Sequence, residues 1–460
     1  MDQAAFKVVV VGGGPAGLVA AHALTKAGID FVVLEGRSSV APELGAGVGF
    51  WPMSLRILDQ LDILEQIRPL LNAFPSKNII LADGGVLQNF PLKMDEYLGE
   101  HFYMCHRADL LQTLYDTLPD AAKARVLTGK RVQAIEVSDS GVRVGCEDGS
   151  WETGSIVFGA DGVHSKVRRL AREAALEENP EAKTDPVQPF LTSFEGLFGN
   201  SPLDALPSFS PGELNEVHSF GTDIQVFAGR ERVWWIVYHK LDEPTREPLK
   251  YSDKDRDAFA DKVGHLHISD KLTFRDIYAV RNSGCAVALE EGSLKHWGWK
   301  RIVMLGDSSN KMTANLGMGM NCAIQDVVIL VNHLRSLLSK MGAPGSGPSA
   351  AAAETIDTPT LERLFDAYWA EHNKFSPKFT YLSARDVRIC SWSTYVRYFL
   401  DRWLYPPIGM RRFIFRFIVA RFMSRGRVFD FLEIKNNFSG TVPWTYSPKN
   451  VASSGKGAKL

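Results

Sequence analysis

Three acidic residues of this sequence follow short apolar stretches, each beside a glycine. Glu35 comes directly after residues 30–34, Asp161 lies just after another such stretch, and Asp307 closes a third. A strand that ends at such a residue presents a carboxylate at its carboxyl end, where open α/β sheets bind ligands. A carboxylate there can accept hydrogen bonds from ligand hydroxyl groups, although Asp and Gly are also ordinary turn residues. The pattern therefore indicates either a ligand site or surface turns.

The glycines near the N-terminus favour the ligand site. Residues 6–37 read FKVVVVGGGPAGLVAAHALTKAGIDFVVLEGR, which predicts a strand, a glycine turn, a helix and a second strand. Gly12 permits the tight turn, Gly14 lets a pyrophosphate approach, and Gly17 lets the helix pack on the strand. The first amides of the helix suit phosphate groups, and Glu35 can accept the ribose hydroxyls. A GxGxxG motif in this βαβ context predicts a bound dinucleotide.

A second glycine pair lies late in the chain. In RIVMLGDSSNKMTANLGMGMN, residues 301–321, a short apolar strand leads to Asp307, and a polar loop then ends at Gly317 and Gly319. Two glycines one residue apart let the backbone pass close to a flat or charged ligand. We therefore expect this loop to lie against the same ligand.

Length and composition describe a well-cored protein of two or three domains. The chain has 460 residues, of which 45% are hydrophobic and 23% charged, and its net charge is -1. Such a balance gives no global indication of nucleic-acid binding. The five cysteines are scattered without metal-ligand or CxxC spacing, so neither a metal site nor dithiol chemistry is expected. The N-terminus lacks a basic secretory region, and we expect a cytoplasmic protein.

Three motifs together resemble the flavoprotein monooxygenases of the p-hydroxybenzoate hydroxylase type. They are the GxGxxG motif, the DG motif in VFGADGVHSKVR and the late GD motif, and the resemblance covers roughly residues 6–334. The stretches GAGVGFWPMSLRILDQL, EEGSLKHWGWKRIVMLGDSSNKMTANLGMGMNCAIQD and VFDFL…GTVPWTY look most like fungal FAD-dependent epoxidases and hydroxylases of meroterpenoid, indole-diterpene and indole-alkaloid pathways. The resemblance implies an α/β fold, with a Rossmann-like FAD-binding domain, an inserted α+β substrate-binding sheet domain and a helical C-terminal segment.

The resemblance also implies cofactor contacts. Glu35 would hold the adenosine ribose, Gly47 would lie near the isoalloxazine, Arg107 would contact the ribityl–pyrophosphate region, and the backbone of Val132 would meet the adenine. For Arg107 the alternative is a solvated charge at the start of a helix. Asp307 would bond the ribityl or pyrophosphate side. The implied FAD-binding residues are Gly12, Gly14, Ala16, Gly17, Glu35, Gly47, Arg107, Val132, Asp161, Gly162, Asp307, Gly317, Gly319 and Asn321.

NAD(P)H is implied as a transient reductant. The DG motif of the family is thought to serve both FAD and NAD(P)H, and this chain has no second complete GxGxxG motif. A separate nicotinamide domain is therefore not expected.

The domain organisation is predicted to be discontinuous. Strand-like runs with aromatic residues, such as FLTSFEGLFGN and DIQVFAGRERVWWIVYHKL, favour a substrate-binding sheet laid over the flavin. The Gly/Pro/Ser/Ala-rich stretch before the C-terminal part is typical of a flexible surface loop. The predicted segments are 1–75, 100–185 and 286–340 for the FAD-binding domain, 76–99 and 186–285 for the substrate-binding domain, 342–360 for the flexible loop, and 361–460 for a helical C-terminal region.

Residues 411–423 combine arginines with aromatic and branched side chains. A transmembrane helix is not expected, because no continuous apolar span reaches the ~18 residues that crossing requires. A basic amphipathic helix there could associate peripherally with an anionic membrane surface, where an apolar substrate would be dissolved. Alternatively, the segment packs over the substrate domain and its arginines are solvated.

Three positions depart from the family pattern. The family usually has His at Asn310 and Pro at Ala314, and its substrate sheet often has Arg at the place we align with Glu195. Replacing Pro by Ala frees φ and restores a backbone N–H near the flavin. Glu195 is expected to face the pocket, where it could act as a general acid or base or bind an amine, unless it is a solvated strand residue. Glu195 and Ala314 are therefore the candidate catalytic positions.

The reaction implied by the resemblance is oxygen transfer. NAD(P)H would reduce FAD, O₂ would form a flavin C4a-hydroperoxide, and a bulky apolar natural product, a terpenoid or a prenylated indole or aromatic compound, would be epoxidised or hydroxylated. The cofactor carries the difficult step, while the protein excludes water and positions the substrate. Two alternatives stay open, namely a non-oxygenating FAD enzyme (a dehydrogenase, isomerase or cyclase) and a catalytically idle flavoprotein that serves as a binding partner.

Overall fold

The computed structural model describes residues 6–43, 47–341, 356–404 and 413–447. The FAD-binding part of the chain contains a six-stranded sheet, here called the parallel sheet. Neighbouring strands are parallel, except at the edge that Gly298–Trp299 forms. The strands are buried runs of Val, Ile and Phe, as expected for a sheet covered on both faces. Their order across the sheet is Gly298–Trp299, Ile302–Met304, Ile156–Gly159, Lys7–Val11, Asp30–Leu34 and Val126–Leu127.

Helices pack around the parallel sheet to form the main core. Helix Pro15–Ala27 follows the first strand and packs against the long helix Gly319–Met341. It begins at a proline, which fits the first helical turn, and it ends at Gly28 in a left-handed conformation. The other helices before the C-terminal region are Pro52–Gln60, Leu64–Ile67, Met94–Leu98, Arg107–Asp116, Asp120–Lys123, Lys166–Glu178, Asp253–Val263 and Phe274–Ala279.

An eight-stranded sheet forms the second layer. Its strands are antiparallel, except that Leu214–Ser219 runs parallel to Ser76–Leu81. The predicted domain boundary at residue 286 falls inside the strand Ser283–Ser293, because that strand continues the sheet without interruption. The order across the sheet is Asn310–Lys311, Ser283–Ser293, Leu191–Pro202, Arg232–Thr245, Thr222–Ala228, Leu214–Ser219, Ser76–Leu81 and Val86–Pro91.

The two faces of the eight-stranded sheet bury different apolar clusters. The outer face packs against helices Asp253–Val263 and Phe274–Ala279. The inner face looks toward the FAD-binding side and the C-terminal helices. Two three-stranded sheets complete the fold, formed by Trp151–Gly154, Val142–Cys146 and Val132–Val137, and by Gly47–Phe50, Phe102–His106 and Asn72–Phe74.

The C-terminal region is helical only in its first part. Residues 424–447 contain no regular helix or strand, so the helical prediction for 361–460 is wrong for this stretch. Backbone carbonyls there bind the FAD-binding domain, since Gln60 Nε2 donates to Phe429 O at 2.8 Å and Arg56 Nη2 donates to Tyr446 O at 2.7 Å. Residues 342–355 of the predicted loop lie outside the described residues. The helices are Thr358–His372, Ser376–Cys390 and Tyr395–Phe399, followed by the π-helical segments Leu400–Leu404 and Ile414–Ala420 and the turn Arg421–Met423.

None of the helices in the described ranges combines the length and the apolar character needed to cross a membrane.

Candidate active site

A single cavity of about 1210 Å³ extends from the carboxyl ends of the parallel sheet to the inner face of the eight-stranded sheet. Most of the sequence-predicted residues lie on its wall, although they come from segments far apart in the chain. The open end of a parallel sheet is where ligands bind in such folds. The predicted residues that line the cavity are Gly12, Gly14, Ala16, Glu35, Gly47, Arg107, Val132, Asp161, Gly162, Asp307, Ala314, Gly317 and Gly319.

The three glycines of the first turn have different roles. A Cβ atom on Gly12 would lie 2.5 Å from the carbonyl oxygen of Ala160, and one on Gly17 would lie 1.9 Å from the carbonyl oxygen of Gly12. These two positions therefore exclude a side chain because the protein itself fills the space. A Cβ atom on Gly14 would meet no protein atom within 4 Å, and Gly14 lines the cavity at the start of helix Pro15–Ala27. The open space at a helix N-terminus fits the pyrophosphate of a dinucleotide.

Glu35 is held in place by backbone donors. Its Oε2 accepts the N–H of Gly13 at 2.7 Å, and its Oε1 accepts the N–H of Arg37 at 2.7 Å. A carboxylate has about four acceptor sites, so two remain for ligand hydroxyl groups. This arrangement fits the predicted contact with a ribose.

Arg107 brings a positive charge to the cavity wall at the start of helix Arg107–Asp116. Its Nη1 is buried and has no hydrogen-bond partner among the described residues. Burial and the nearby Arg37 lower the pKa of Arg107, whereas Asp307 and Glu35 raise it. Buried donors are normally paired, so an unpaired guanidinium N–H fits an acceptor on a ligand. The burial does not favour the alternative of a solvated surface charge.

Asp307 follows the strand Ile302–Met304 and also lines the cavity. Its Oδ2 accepts a hydrogen bond from Lys311 Nζ at 2.6 Å. The preceding Gly306 donates its N–H to Asp326 Oδ2 at 2.7 Å, and burial raises the pKa of Asp326 to about 7. The buried Asp326 thus fixes the turn that presents Asp307, a role that the sequence analysis did not identify.

Asp161 serves mainly the structure of the next helix. Its Oδ1 accepts from Ser165 Oγ at 2.6 Å, and its Oδ2 accepts the N–H groups of Lys166 and Val167 at 2.7 and 3.0 Å. The carboxylate therefore caps helix Lys166–Glu178, and a negative charge there complements the helix dipole. Gly162, with φ of 82°, follows it along the cavity wall.

Two implied FAD-binding residues do not reach the cavity wall. Gly17 packs against the first strand, as its predicted packing role requires. Asn321 is fully buried, and its Nδ2 donates to the carbonyl oxygens of Gly49 at 2.8 Å and Gly317 at 2.7 Å. Its Oδ1 accepts the N–H of Trp51 at 3.0 Å. Asn321 thus joins the Gly317 loop to the strand beside it and positions the wall without forming it.

The expectation that Glu195 faces the pocket is wrong. On the strand Leu191–Pro202, Phe198 lines the cavity and Phe194 belongs to the inner apolar cluster. Leu197 belongs to the outer cluster, and Glu195 shares its side of the strand because alternate residues face the same way. Burial raises the pKa of Tyr251, and the adjacent Glu195, its hydrogen-bond partner, raises it further.

Of the other two positions that depart from the family pattern, one lines the cavity and one does not. Ala314 lines the cavity at the start of the turn Ala314–Leu316. Asn310 is buried outside the wall, and neither atom of its amide has a partner within the described part of the chain.

The cavity wall also carries a group of polar residues that was not predicted from the sequence, here called the polar cluster. Glu216 and His218 alternate on one strand and Gln225 lies on the next, a pattern that sequence alone assigns to a solvated sheet face. In the structure the C-terminal helices cover this face. The sequence feature that could have indicated the cluster is the presence of polar residues in alternation on two adjacent strands. The polar cluster consists of Lys77, Glu216, His218, Gln225, Asp386 and Asp401.

Two residues of the polar cluster, together with the neighbouring Cys390, have the composition of a metal site. Ligand atoms of Glu216, His218 and Cys390 lie within 4.8 Å of one another. Two features oppose a cation there. Lys77 Nζ forms an ion pair with Glu216 Oε2, and burial and Asp386 hold the pKa of the Cys390 thiol well above its usual range, so the thiolate ligand is disfavoured.

Comparison with known proteins agrees with this geometry. A model of the family described as "FAD binding domain" matches residues 5–191. The FAD-dependent monooxygenase ausM of Penicillium brasilianum is 32% identical over 415 residues, covering 89% of this chain and 84% of its own length. The FAD-dependent monooxygenase spyC of Aspergillus fumigatus is 37% identical over 367 residues, covering 76% and 74%.

The fold is also that of a solved flavoprotein. The crystal structure of Klebsiella pneumoniae HpxO complexed with FAD and uric acid superposes with a TM-score of 0.67 at 19% identity, covering 91% of this chain and 96% of that chain. The fold, the open cradle at Gly14 and the sequence similarity over most of the chain agree on one cofactor, FAD. The chain belongs to the FAD-dependent monooxygenases of fungal natural-product pathways.

Proposed function

We propose that the protein uses NAD(P)H and O₂ to epoxidise or hydroxylate a bulky apolar natural product, either a terpenoid or a prenylated indole or aromatic compound. The observation that carries the proposal is the continuity of the cavity, which joins the FAD cradle to an apolar chamber. Its volume of about 1210 Å³ exceeds the ~300–1,000 Å³ of a usual single-ligand pocket, which leaves room for a substrate beside the cofactor.

The walls of the chamber suit such a substrate. When bound, FAD supplies the oxygen-transfer chemistry, and the residues of this chain exclude water and hold the reacting carbon in place. The chamber is apolar on the sheet side and on the side of the C-terminal helices. Its apolar lining residues include Leu92, Phe102, Phe198, Leu214, Phe227, Ile236, Phe379, Leu382, Phe415, Val419 and Phe422.

A substrate panel tests this proposal. The purified flavoprotein is incubated with NADPH or NADH and with individual terpenoids and prenylated indoles, while nicotinamide oxidation and O₂ consumption are recorded. We expect at least one compound to stimulate both rates together and to yield an oxygenated product. Flavin that no nicotinamide reduces, with or without these compounds, would instead support the idle flavoprotein.

A second candidate is a non-oxygenating FAD enzyme, such as an isomerase or a cyclase, acting on a similar substrate. The polar cluster favours it, because buried acid and base groups on a cavity wall can transfer protons. The same assay separates the two candidates, since conversion of a compound without consumption of NAD(P)H or O₂ identifies the second.

We further propose that the protein is cytoplasmic and associates peripherally with an anionic membrane through residues 411–423. Residues 411 and 412 lie outside the described residues. In the remainder, Phe417 and Ile418 are about half exposed, and Arg416 and Arg421 are exposed beside them. Ile418 also lines the cavity, so this segment separates the chamber from the surface. A basic, apolar surface of this kind suits the interface of an anionic bilayer.

Vesicle binding tests the membrane proposal. We expect co-sedimentation with phosphatidylserine-containing vesicles at low salt and its loss at high salt, because salt screens charge attraction. Replacing Arg416 and Arg421 by glutamine should weaken binding about tenfold or more, since each arginine near the surface contributes about 1 kcal/mol. The matched control replaces Arg143 and Arg169, which are exposed on other faces, by glutamine. Absence of binding at low salt would favour packing over the substrate domain.

The Ala314 position gives a further prediction. Ala314 begins the turn Ala314–Leu316, and Thr313 before it is extended with φ of -62° and ψ of 148°, which a following proline requires. Ala314→Pro should therefore fold, with stability unchanged or raised by about 0.4–1 kcal/mol. Because the loop lines the cavity beside Gly317, the substitution should change the fraction of NADPH oxidation that ends as hydrogen peroxide. Thermal melting and peroxide assays measure both, and a wild-type peroxide fraction would make Ala314 a bystander.

A further inference from the structure

The polar cluster is assembled from distant parts of the chain at one end of the apolar chamber. Four of its members come from strands of the eight-stranded sheet, whereas Asp386 and Asp401 come from the C-terminal helical segments. Buried ionic groups are often no more stabilising than apolar residues of similar size. Their position on a cavity wall makes them accessible to a ligand within the cavity.

His218 is fixed between two carboxylates. Its Nδ1 lies 2.6 Å from Asp401 Oδ2, and its Nε2 lies 3.3 Å from Glu216 Oε2. Trp392 Nε1 donates to the same Oδ2 atom of Asp401 at 2.9 Å. Burial lowers the pKa of His218, but the neighbouring Cys390 and Asp401 together outweigh burial, and the pKa lies well above its usual value. Because a carboxylate oxygen lies beside each ring nitrogen, the surroundings of His218 favour the imidazolium, in which both nitrogens are donors.

Glu216 balances these positive charges. It pairs with Lys77, and its Oε1 accepts from Gln225 Nε2 at 2.8 Å. Burial raises the pKa of Glu216, but Lys77 and His218 outweigh burial and hold it well below the usual range. The polar cluster thus places the hydrogen-bond donor His218 beside the acceptor Glu216 on one wall. Together they suit a ligand group that both donates and accepts hydrogen bonds.

Asp223 lies behind this part of the wall, outside the residues that line the cavity. It pairs with His218 across the two strands and lies on the same face as Gln225, which lines the cavity. It is fully buried, and neither carboxyl oxygen has a hydrogen-bond partner among the described residues. Burial and the charge of Glu216 raise its pKa well above the usual value, so it is protonated. His218 Nε2 is also buried without a hydrogen-bond partner among the described residues, and His218 does line the cavity. An unpaired buried polar group costs about 1–3 kcal/mol, which a ligand oxygen at His218 would offset.

The polar cluster is connected to the loop that carries Ala314 and Gly317. Gln225 Nε2 donates to the carbonyl oxygen of Asn315 at 3.0 Å, and Asn315 Nδ2 donates to Asp386 Oδ2 at 2.9 Å. A polar group bound at the polar cluster would therefore lie close to the loop of Ala314 and Gly317, which lines the cavity.

We propose that the polar cluster is a binding site for an oxygen-bearing end of the substrate, a hydroxyl or carbonyl group, and that it orients the apolar body of the substrate along the chamber. His218 donates to that oxygen, and Glu216 accepts from it when it is a hydroxyl. This proposal rests on the proposed function in one respect, namely that the chamber is the substrate-binding site. It names an amphiphile, an apolar body with one oxygen function at its end, as the substrate class.

A pair of probes tests this site without turnover. Farnesol and farnesane have the same branched carbon skeleton, saturated only in farnesane, and only farnesol carries a hydroxyl. Each is titrated into the oxidised, FAD-loaded full chain, and binding is followed by the change in flavin absorbance. A purely apolar chamber would favour the hydrocarbon. We expect farnesol to bind at least about tenfold more tightly, as one charge-assisted hydrogen bond allows.

The double substitution H218Q/D401N tests whether the polar cluster causes this preference. It removes one positive and one negative charge together, so it leaves no unpaired partner. The farnesol preference should fall to near one. The matched control, H101Q/D95N, makes the same change at the surface pair whose Nδ1 and Oδ1 atoms lie 3.5 Å apart, and should keep the preference of the wild type.

Three results would overturn the proposal. They are equal or tighter binding of farnesane by the wild type, an unchanged farnesol preference in H218Q/D401N, and stoichiometric zinc in the purified protein. If the double variant loses flavin or melts early, the comparison of the two probes in the wild type decides alone. Because no step uses NAD(P)H or O₂, failure of oxygenation leaves this result unaffected, and the two proposals fail separately.

Discussion

Gly14→Ala and Gly17→Ala are expected to impair two different properties, FAD binding in the first variant and the stability of the fold in the second. Gly14→Ala should fold and bind little FAD, because its Cβ atom meets no protein atom within 4 Å and enters the space of the pyrophosphate. Gly17→Ala should be destabilised by about 3 kcal/mol or more, because its Cβ atom would lie 1.9 Å from the carbonyl oxygen of Gly12. Overpacking usually costs about 1–3 kcal/mol, and a backbone neighbour cannot move aside easily.

Helix propensity does not change this expectation. Alanine is favoured over glycine inside a helix by about 1 kcal/mol, which is smaller than the cost of the clash at Gly17. Circular dichroism and flavin absorbance measure the two effects separately. Each variant serves as the control for the other, since both add the same methyl group within one turn. Full flavin content in Gly14→Ala would contradict the position of the pyrophosphate.

The second large effect is expected at Asp307. Asp307→Ala should leave a folded protein and weaken FAD binding by about tenfold to a hundredfold, the range of a hydrogen bond to a charged group. The residue lies on the cavity wall and its side chain is 33% exposed, so the core is not disturbed. Flavin absorbance per protein after gel filtration measures the loss.

The matched control for Asp307 is Glu178→Ala. Asp307 pairs with Lys311 at 2.6 Å, and Glu178 pairs with Lys300 at 2.5 Å on the surface. Both substitutions remove a carboxylate from a lysine partner, but only the first removes one from the cavity. Equal flavin content in both variants and in the wild type would show that the GD motif does not contribute to FAD binding.

The local parts of the FAD cradle could be predicted from the sequence. The turn around Gly12 and the position of Glu35 depend on a strand, a turn and a helix that are adjacent in the chain. Steric exclusion at Gly17 acts against the nearby Gly12, so the sequence pattern contains it directly, whereas the contact of Gly12 with Ala160 depends on the pairing of distant strands. The GD motif is local in the same sense, because a strand end and two glycines define it.

The face on which Glu195 lies could not be predicted in the same way. The side-chain period of a strand is two, so an error of one residue reverses every side chain. Near Glu195 the ladder has an irregularity between Thr192 and Phe194, which changes the alternation on that strand. The apolar side chains of Phe194 and Phe198 decide which face turns inward.

The polar cluster was missed for a different reason. Alternating polar residues such as Glu216 and His218 are typical of a sheet face in contact with water. Here the helix Ser376–Cys390 and the segment Leu400–Leu404 cover that face and add Asp386 and Asp401. Contacts between segments so far apart depend on tertiary packing, which local sequence patterns do not encode.

The most direct test of the proposed reaction is to measure whether one atom of O₂ is transferred to the substrate. Each compound that the enzyme converts in the panel is incubated with the enzyme and NAD(P)H under isotopically labelled O₂, and the product is examined by mass spectrometry. The proposed monooxygenase places one labelled oxygen atom in the product for each NAD(P)H consumed in productive turnover. A converted product without label, formed while NAD(P)H and O₂ remain unconsumed, would contradict oxygen transfer and identify the protein as a non-oxygenating FAD enzyme.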